Sequence, residues 1–346
     1  MPVHPLEAVP VVLAHVSRML AGAATFAAAI AVSGAASLLA PSSAVAQSWP
    51  ARPLSIVVPF APGGISDITA RPLAVALGRV LGQSVVVDNR PGAGGAVGAA
   101  YAARQKADGY SLMMALSSLV VIPEAERVAG RTPSYQLSQF TPIARVAADP
   151  VVVMVRADSP WRTLDDLLAE ARRSPGTLSY SSSGIYGALH VPMEMLAQSA
   201  GVRFLHVPYQ SGGQAMSALL AGQVAVTAQA PGVAFPHLKA GKVRILASFG
   251  TERIKALPDV PTFRELGHDC EFFIWSALFA PVDTPSDLVA RLRAATREAI
   301  REPVFVEAMA AMASPVDYLD APELAASMER ERRRLADTVQ RMGRLE

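Results

Sequence analysis

Four short runs of small residues are the parts of this sequence best suited to chemistry: Pro62-Gly63-Gly64, Ser117-Ser118, Ser181 to Gly184, and Tyr209-Gln210-Ser211. Glycine lets backbone amides approach a ligand closely, and serine adds neutral hydroxyl donors. A helix that starts just behind such a run attracts an anion. A charge-assisted hydrogen bond contributes roughly 1.5–3 kcal/mol, and micromolar affinity needs about 8 kcal/mol. Four or five donors therefore hold an anion such as a carboxylate after ordering losses, with Arg71 or Arg90 able to assist at the rim. Each run alone reads equally well as a turn. Four of them at equivalent junctions favour a joint role.

Catalytic patterns are absent by the same reading. The cluster at Gly92, Gly94 and Gly95 is not G-x-G-x-x-G, because Val97 stands at the final position. Gly241-Lys242 is followed by Val243, so no Walker A motif exists. Ser181 to Gly184 lacks the leading glycine of a nucleophile elbow, although Ser182 or Ser183 leaves an exported serine hydrolase as a third reading. The 6 His residues show no paired metal spacing, so His190 and His206 are expected to pack and to ligate no metal. A single cysteine, Cys270, excludes a disulfide framework and any cysteine-clustered metal site. No cofactor is expected.

The elements that must position these runs alternate in type. Leu54 to Val58 is a short β-branched strand, and Ile68, Leu73, Leu77, Val80 and Leu81 mark one face of a helix behind Gly63-Gly64. Ser66 or Asp67 is the expected cap, and Pro72 conflicts with the helix interior. Val85–Val87 and Tyr110–Leu116 continue a β-α-β-α-β order, which implies a mostly parallel sheet covered on both faces. Two apolar runs between Ile143 and Val155 are split by Asp149-Pro150. A second β/α set follows, with Thr163 capping one helix, Ser211 opening another, and strands at Leu178–Tyr180, Phe204–Val207, Val224–Thr227 and Val243–Ala247. Helices fill the C-terminal part, where the Glu329–Arg334 run reads as a solvated face, with a basic contact site as the alternative. In a parallel sheet, strand-to-helix junctions gather at the carboxyl ends of the strands, where ligands bind. Two lobes facing each other through such loops would clamp an anion.

The chain has 346 residues, 31 Lys+Arg against 29 Asp+Glu, and a net charge of +2. So small a charge argues against a nucleic-acid partner. Charged residues make up 17%, below the roughly 25% of soluble domains. The apolar excess is concentrated at the start, since nothing between Arg18 and Arg52 is charged. Met19 to Ala40 is apolar and Ala44-Val45-Ala46 supplies a small-residue cleavage site, the layout of a signal peptide cut after Ala46. An uncleaved anchor helix is the alternative. Cleavage removes Glu7 and Arg18, so 300 residues remain with the charge unchanged.

From Trp49 to about Gly343 the chain resembles the substrate-binding proteins of tripartite tricarboxylate transporters, the Bug-type receptors of the TctC family. The motifs WPARPLSIVVPFAPGGISDITAR, VVVDNRPGAGGAVGA, ADGYSL, LSYSSSGIYGALH, HVPYQSGG, HLKAGKVRILA, LPDVPTFRELG and ALFAPVDTP carry the resemblance in order. It implies a two-lobed α/β periplasmic binding protein, type II-like, with a ligand cleft between lobes. Residues 1–46 would be the signal peptide, 47–149 with 277–346 lobe one, and 150–276 lobe two. The implied ligand-binding residues are Gly63, Gly64, Ser66, Asp67, Ser117 and Ser118 in lobe one. In lobe two they are Ser182, Ser183, Gly184 and Tyr209, with Gln229 where many relatives carry Asp. Asp67 is equally readable as a helix cap, and Tyr186 as a stacking or a packing ring. The implied partners are a small organic acid, one without an amino group, and membrane transporter subunits, the receptor itself being a monomer. Presentation of the same ligand to a membrane sensor kinase is the alternative function.

Overall fold

The computed structural model describes residues 49–342, so the expected signal peptide lies outside the described residues. Strands β1 (Leu54–Val58), β2 (Val85–Asn89) and β3 (Ser111–Leu116) form the parallel part of a first sheet. They are joined by helices α1 (Ile65–Leu81) and α2 (Ala96–Ala103), and α3 (Ser118–Val128) follows β3. Ile56 and Val58 are fully buried, as are Leu73 and Leu77 on the face that α1 turns inward. β4 (Phe140–Pro150), β10 (Phe273–Pro281) and β11 (Val316–Asp320) complete a six-stranded sheet in the order β11-β4-β10-β3-β1-β2.

The second sheet has five strands in the order β7-β6-β8-β5-β9. They are β5 (Val152–Arg156), β6 (Ser179–Ser182), β7 (Leu205–Pro208), β8 (Val226–Gln229) and β9 (Val243–Ser248). Helices α4 (Leu164–Arg173), α5 (Val191–Ala200), α6 (Gly212–Leu220) and α7 (Pro231–Lys239) connect them, and α8 (Ser286–Ala299), α9 (Pro303–Ala311) and α10 (Ala321–Met342) follow β10. This is the expected two-lobed α/β architecture. Both sheets are mixed, however. The antiparallel pairs all involve β4, β5, β10 or β11, and the parallel pairs are those of β1 with β2 and β3 and of β6 with β7 and β8. A strand that arrives from the other sheet has no helical crossover to turn it parallel.

The break at Asp149-Pro150 is the passage between sheets: β4 ends at Pro150 and β5 begins at Val152. The return passage lies at Phe272, just before β10. Val151 donates its N–H to Phe272 O at 3.2 Å, Phe249 donates to Val151 O at 2.8 Å, and Phe272 to Phe249 O at 3.0 Å. Phe249 and Phe272 are wholly buried here. Two hydrogen-bonded passages therefore connect the two sheets.

Local expectations fared unevenly. Thr163 caps α4 through a capping box with Asp166, and Ser211 caps α6 by accepting the Gln214 N–H. The cap of α1 is neither Ser66 nor Asp67: Gly64 holds that position in extended conformation, with no side-chain bond. The helix runs on through Pro72. β8 begins at Val226, two residues later than expected, and ends on Gln229. Glu329 pairs with Arg332 and Arg333 at the surface, but Glu331 in the same run is buried. No described helix is long and apolar enough to cross a membrane.

Candidate functional site

The carboxyl ends of β1 and β3 face those of β6 and β8, and the loops behind them touch. Ala61 donates its N–H to Gln210 O at 3.1 Å, joining the two lobes backbone to backbone. The Ser211 hydroxyl lies 3.5 Å from Pro62 O. A methyl group on Gly64 would stand 3.2 Å from Gly212 N, and one on Gly184 only 2.6 Å from Gly94 N. Such approaches explain the glycine content of these loops. Gly63 (φ +87°) and Gly184 (φ +120°) also hold conformations that side chains rarely adopt.

Between the loops lies a cavity of about 10 Å³, lined among others by Gly64, Ser66, Leu116, Ser183 and Gln229. This is about the room of one water. Beside it a larger cavity of about 540 Å³ is lined by Gly94 and Arg131 from lobe one, and by Gly184, Tyr186 and Tyr209 from lobe two. Ser183 lines both. Of the expected site residues, the structure thus brings Gly64, Ser66, Ser183 and Gln229 to the inner cavity, and Ser183, Gly184 and Tyr209 to the outer one. Gly63, Asp67, Ser117, Ser118 and Ser182 line neither, although Ser117 and Ser118 are buried at the start of α3.

Hydrogen bonding separates the groups that are already engaged from those that are not. The Ser66 hydroxyl donates to Met114 O at 2.9 Å. The Asp67 carboxylate, 3% exposed, accepts from Arg71 at 2.7 and 3.0 Å, from Asn89 at 3.0 Å and from the Gly63 N–H at 3.0 Å. Burial alone would raise this carboxyl, but bonds from Arg71, Gly63 and Asn89 outweigh it and hold it below the usual range. Asp67 thereby ties the Gly63 turn to α1 and β2. Ser182 sits 2.6 Å from His206 Nε2. Tyr209 donates its hydroxyl to Gln223, outside the cavities.

Among the buried side-chain atoms of the described residues that have no hydrogen-bond partner, two line the inner cavity, Ser183 Oγ and Gln229 Oε1, and a third, Ser117 Oγ, follows Leu116 of its wall. The orientation of the Gln229 amide is forced. Its Nε2 donates to Gly212 O at 2.9 Å and to Thr227 Oγ1 at 3.3 Å. The Gly212 carbonyl can only accept, so Oε1 is the atom left to the cavity. Native structures satisfy nearly all buried polar groups, so such orphans call for a partner from outside the chain.

Sequence reading missed the layer behind Ser182. His206 stacks on His190 with ring centroids 4.0 Å apart and on Tyr180 at 4.9 Å. Tyr180 donates to Glu194 at 2.7 Å, and the Tyr186 N–H donates to His190 Nδ1 at 2.9 Å. Tyr186 is 3% exposed with its ring tilted against His190. Burial lowers His206 to about 4; burial, then His206, lowers His190. Both imidazoles are neutral at pH 7. The signal available was the recurrence of aromatic and imidazole residues at Tyr180, His190 and His206, but nothing in their spacing says that they stack. Arg131, on a lobe-one loop lining the outer cavity, followed no strand and was equally silent.

Two lobes joined by two passages, with facing glycine and serine loops and unpaired polar atoms between them, describe a device for enclosing a small polar ligand. Residues 69–345 match the family described as tripartite tricarboxylate transporter family receptor. The chain belongs to this family. It is thus an extracytoplasmic solute-binding receptor and not an enzyme. Among solved structures, the periplasmic binding protein BugD is 31% identical with a TM-score of 0.80, covering 85% of this chain and 98% of its own. MatC (Rpa3494) from Rhodopseudomonas palustris, solved with bound malate, is 29% identical with a TM-score of 0.78, covering 84% and 100%. R. palustris Rpa4515, solved with adipate, has the same identity and TM-score over 84% and 98%. Among the described residues no carboxylate bonds to the His206 imidazole that Ser182 contacts.

Proposed function

We propose that the receptor captures a small organic acid bearing one hydrogen-bond donor besides its carboxylate, and delivers it to a tripartite tricarboxylate-type membrane transporter. The observation that carries this reading is the pair of unpartnered buried atoms at the inner cavity. Ser183 offers a hydroxyl to a carboxylate, and Gln229 Oε1 asks for a donor. A neutral amide cannot balance an ammonium, and the buried Asp67 carboxylate is already paired with Arg71. An acid with a hydroxyl or a protonated second carboxyl therefore fits better than an amino acid. The family and the malate- and adipate-bound relatives support the carboxylate part of the reading. The site set would be Gly63, Gly64, Ser66, Ser117 and Ser118 from a lobe of 47–149 with 277–346, and Ser182, Ser183, Gly184, Tyr209 and Gln229 from a lobe of 150–276, with Asp67 holding the Gly63 turn in place.

The inner cavity is smaller than any such acid, so entry requires the facing loops to part. Closure then gains from donors on both lobes, the differential affinity a ligand-driven change needs. Calorimetry on the chain from Gln47 onward, with malate, succinate, adipate and aspartate, tests the reading. The expected order places malate at least tenfold above succinate, with no detectable aspartate binding. Selective binding of aspartate would overturn it.

A further inference from the structure

We propose that His190 and His206 are positioning residues for ligand capture: stacked on each other behind the loop from Ser182 to Gly187, they hold it at two points and so place Ser183 in the cleft. The proposal rests on the organic-acid reading for the nature of the ligand, and on the following geometry for the clamp itself.

The loop lines both cavities, with Ser183 at the inner one and Ser183, Gly184, Ile185 and Tyr186 at the outer one. Two of its residues hold backbone conformations that need support. Gly184 has φ +120° and stands against Gly94 of the other lobe. Tyr186 has φ +58°, a left-handed conformation that is costly for a residue with a side chain. Each is met by one imidazole. His206 Nε2 lies 2.6 Å from Ser182 Oγ. That oxygen accepts the Gly184 N–H at 3.1 Å and lies 3.2 Å from Gly184 O, so Ser182 holds Gly184 and the imidazole holds Ser182. At the second point the Tyr186 N–H donates to His190 Nδ1 at 2.9 Å. Ser183, whose buried hydroxyl has no partner, stands between Ser182 and Gly184.

The two points are coupled because the rings are stacked. The imidazole centroids are 4.0 Å apart with planes 10° from parallel. Tyr180 stacks on His206 at 4.9 Å and is itself anchored by donating to Glu194 at 2.7 Å. His190 Nδ1 accepts an N–H, so the ring hydrogen belongs on Nε2, which faces Glu194 Oε1 at 3.8 Å. That bond needs a neutral ring, and burial supplies the condition by lowering His190 well below the usual histidine range and His206 to about 4. Neither imidazole lines a cavity, so any effect on the ligand passes through the loop.

The test pairs removal of each nitrogen with its restoration, in the chain from Gln47 onward. His190→Phe and His206→Phe keep the ring stack and remove the nitrogens. His190→Asn places an amide near Nδ1, and His206→Gln places one near Nε2. Amide hydrogen exchange, read by NMR without ligand, should quicken at least fivefold at Tyr186 in His190→Phe and at Gly184 in His206→Phe. Malate affinity, read by calorimetry, should fall about tenfold in both. The asparagine and glutamine variants should return both measurements to within threefold of wild type. If a phenylalanine variant fails to fold, the wild-type amides carry the test, since Gly184 and Tyr186 should exchange at least tenfold more slowly than Ile185 between them. Three results would overturn the proposal: unchanged exchange at the two amides, faster exchange with malate affinity intact, or losses that asparagine and glutamine do not restore, which would leave only ring packing. If wild type binds none of malate, succinate and adipate, the organic-acid reading fails, and the two amides alone decide the clamp.

Discussion

At the scale of single residues, the groups that matter to the site are the ones left incomplete. Ser182 and Ser183 are neighbours of the same type, both buried, yet Ser182 is bonded to His206 and to the Gly184 amide while Ser183 Oγ has no partner. An unsatisfied buried hydroxyl costs roughly 1–3 kcal/mol, whereas a hydrogen bond to a charged ligand returns roughly 1.5–3 kcal/mol. Ser183→Ala should consequently act with opposite signs on the two states. The ligand-free receptor should melt at the same temperature or a few degrees higher, while affinity for its organic acid falls about tenfold. Ser182→Ala should instead lower stability, because it removes the hydrogen-bond partner of the half-buried His206. Paired thermal melts and titrations check both. A Ser183→Ala variant that loses stability and keeps full affinity would assign this hydroxyl to the fold. No sequence signal separated these two serines: which of them meets an imidazole depends on how β7 lies beside β6, a contact made after folding.

Elements were more legible than side-chain contacts, for a physical reason. The periodicity that marks a strand or helix is local, and so are the caps at Thr163 and Ser211, which bond within three residues. Direction of pairing is not local. β4 lies in the apolar stretch that precedes Asp149-Pro150, β10 was not read as a strand, and their passage between sheets makes them antiparallel to their neighbours. The charged run in α10 shows the same limit. Glu331 looks solvated in sequence, yet it is 8% exposed and accepts the Trp275 indole N–H at 2.5 Å. Burial pushes its carboxyl up to about 7, well above the ordinary glutamate range, with Trp275, Arg334 and Arg145 only partly opposing. The folded protein thus holds this proton where the unfolded chain has lost it, so the contribution to stability is full below about pH 4.5 and is lost as pH rises through 7. Glu331→Gln keeps the acceptor for Trp275 and removes the ionisation. It should stabilise the protein by on the order of 3 kcal/mol at pH 8 and by little at pH 4.5. Urea unfolding at the two values measures this; an equal effect at both would place the Glu331 carboxyl in the ordinary range.

The whole molecule is governed by whether its two lobes can meet. Glycines at the facing loops were legible as a composition, but which glycine meets which could not be, because the partners lie far apart in sequence, as Gly94 and Gly184 or Gly63 and Gly213 do. Gly213, the second residue of α6, gives the sharpest handle. It has no positive φ, so alanine suits its backbone, and inside a helix alanine is favoured over glycine by about 1 kcal/mol. Yet a methyl group there would stand 2.7 Å from Gly63 O and 2.8 Å from its carbonyl carbon, both in the other lobe. Backbone atoms cannot swing aside as a side-chain tip would. Gly213→Ala should therefore leave each lobe as stable as before and prevent the two from reaching the observed apposition. Small-angle scattering should show the variant at least as extended as the wild-type receptor without ligand, and organic-acid affinity should fall at least tenfold. Gly94→Ala would cost more and tell less, since its φ of +65° adds backbone strain to the clash with Ile185 O. If Gly213→Ala keeps wild-type affinity, the ligand is held with the lobes farther apart than here, and the contacts of Ala61 with Gln210 and of Gly64 with Gly212 would have no part in gripping it.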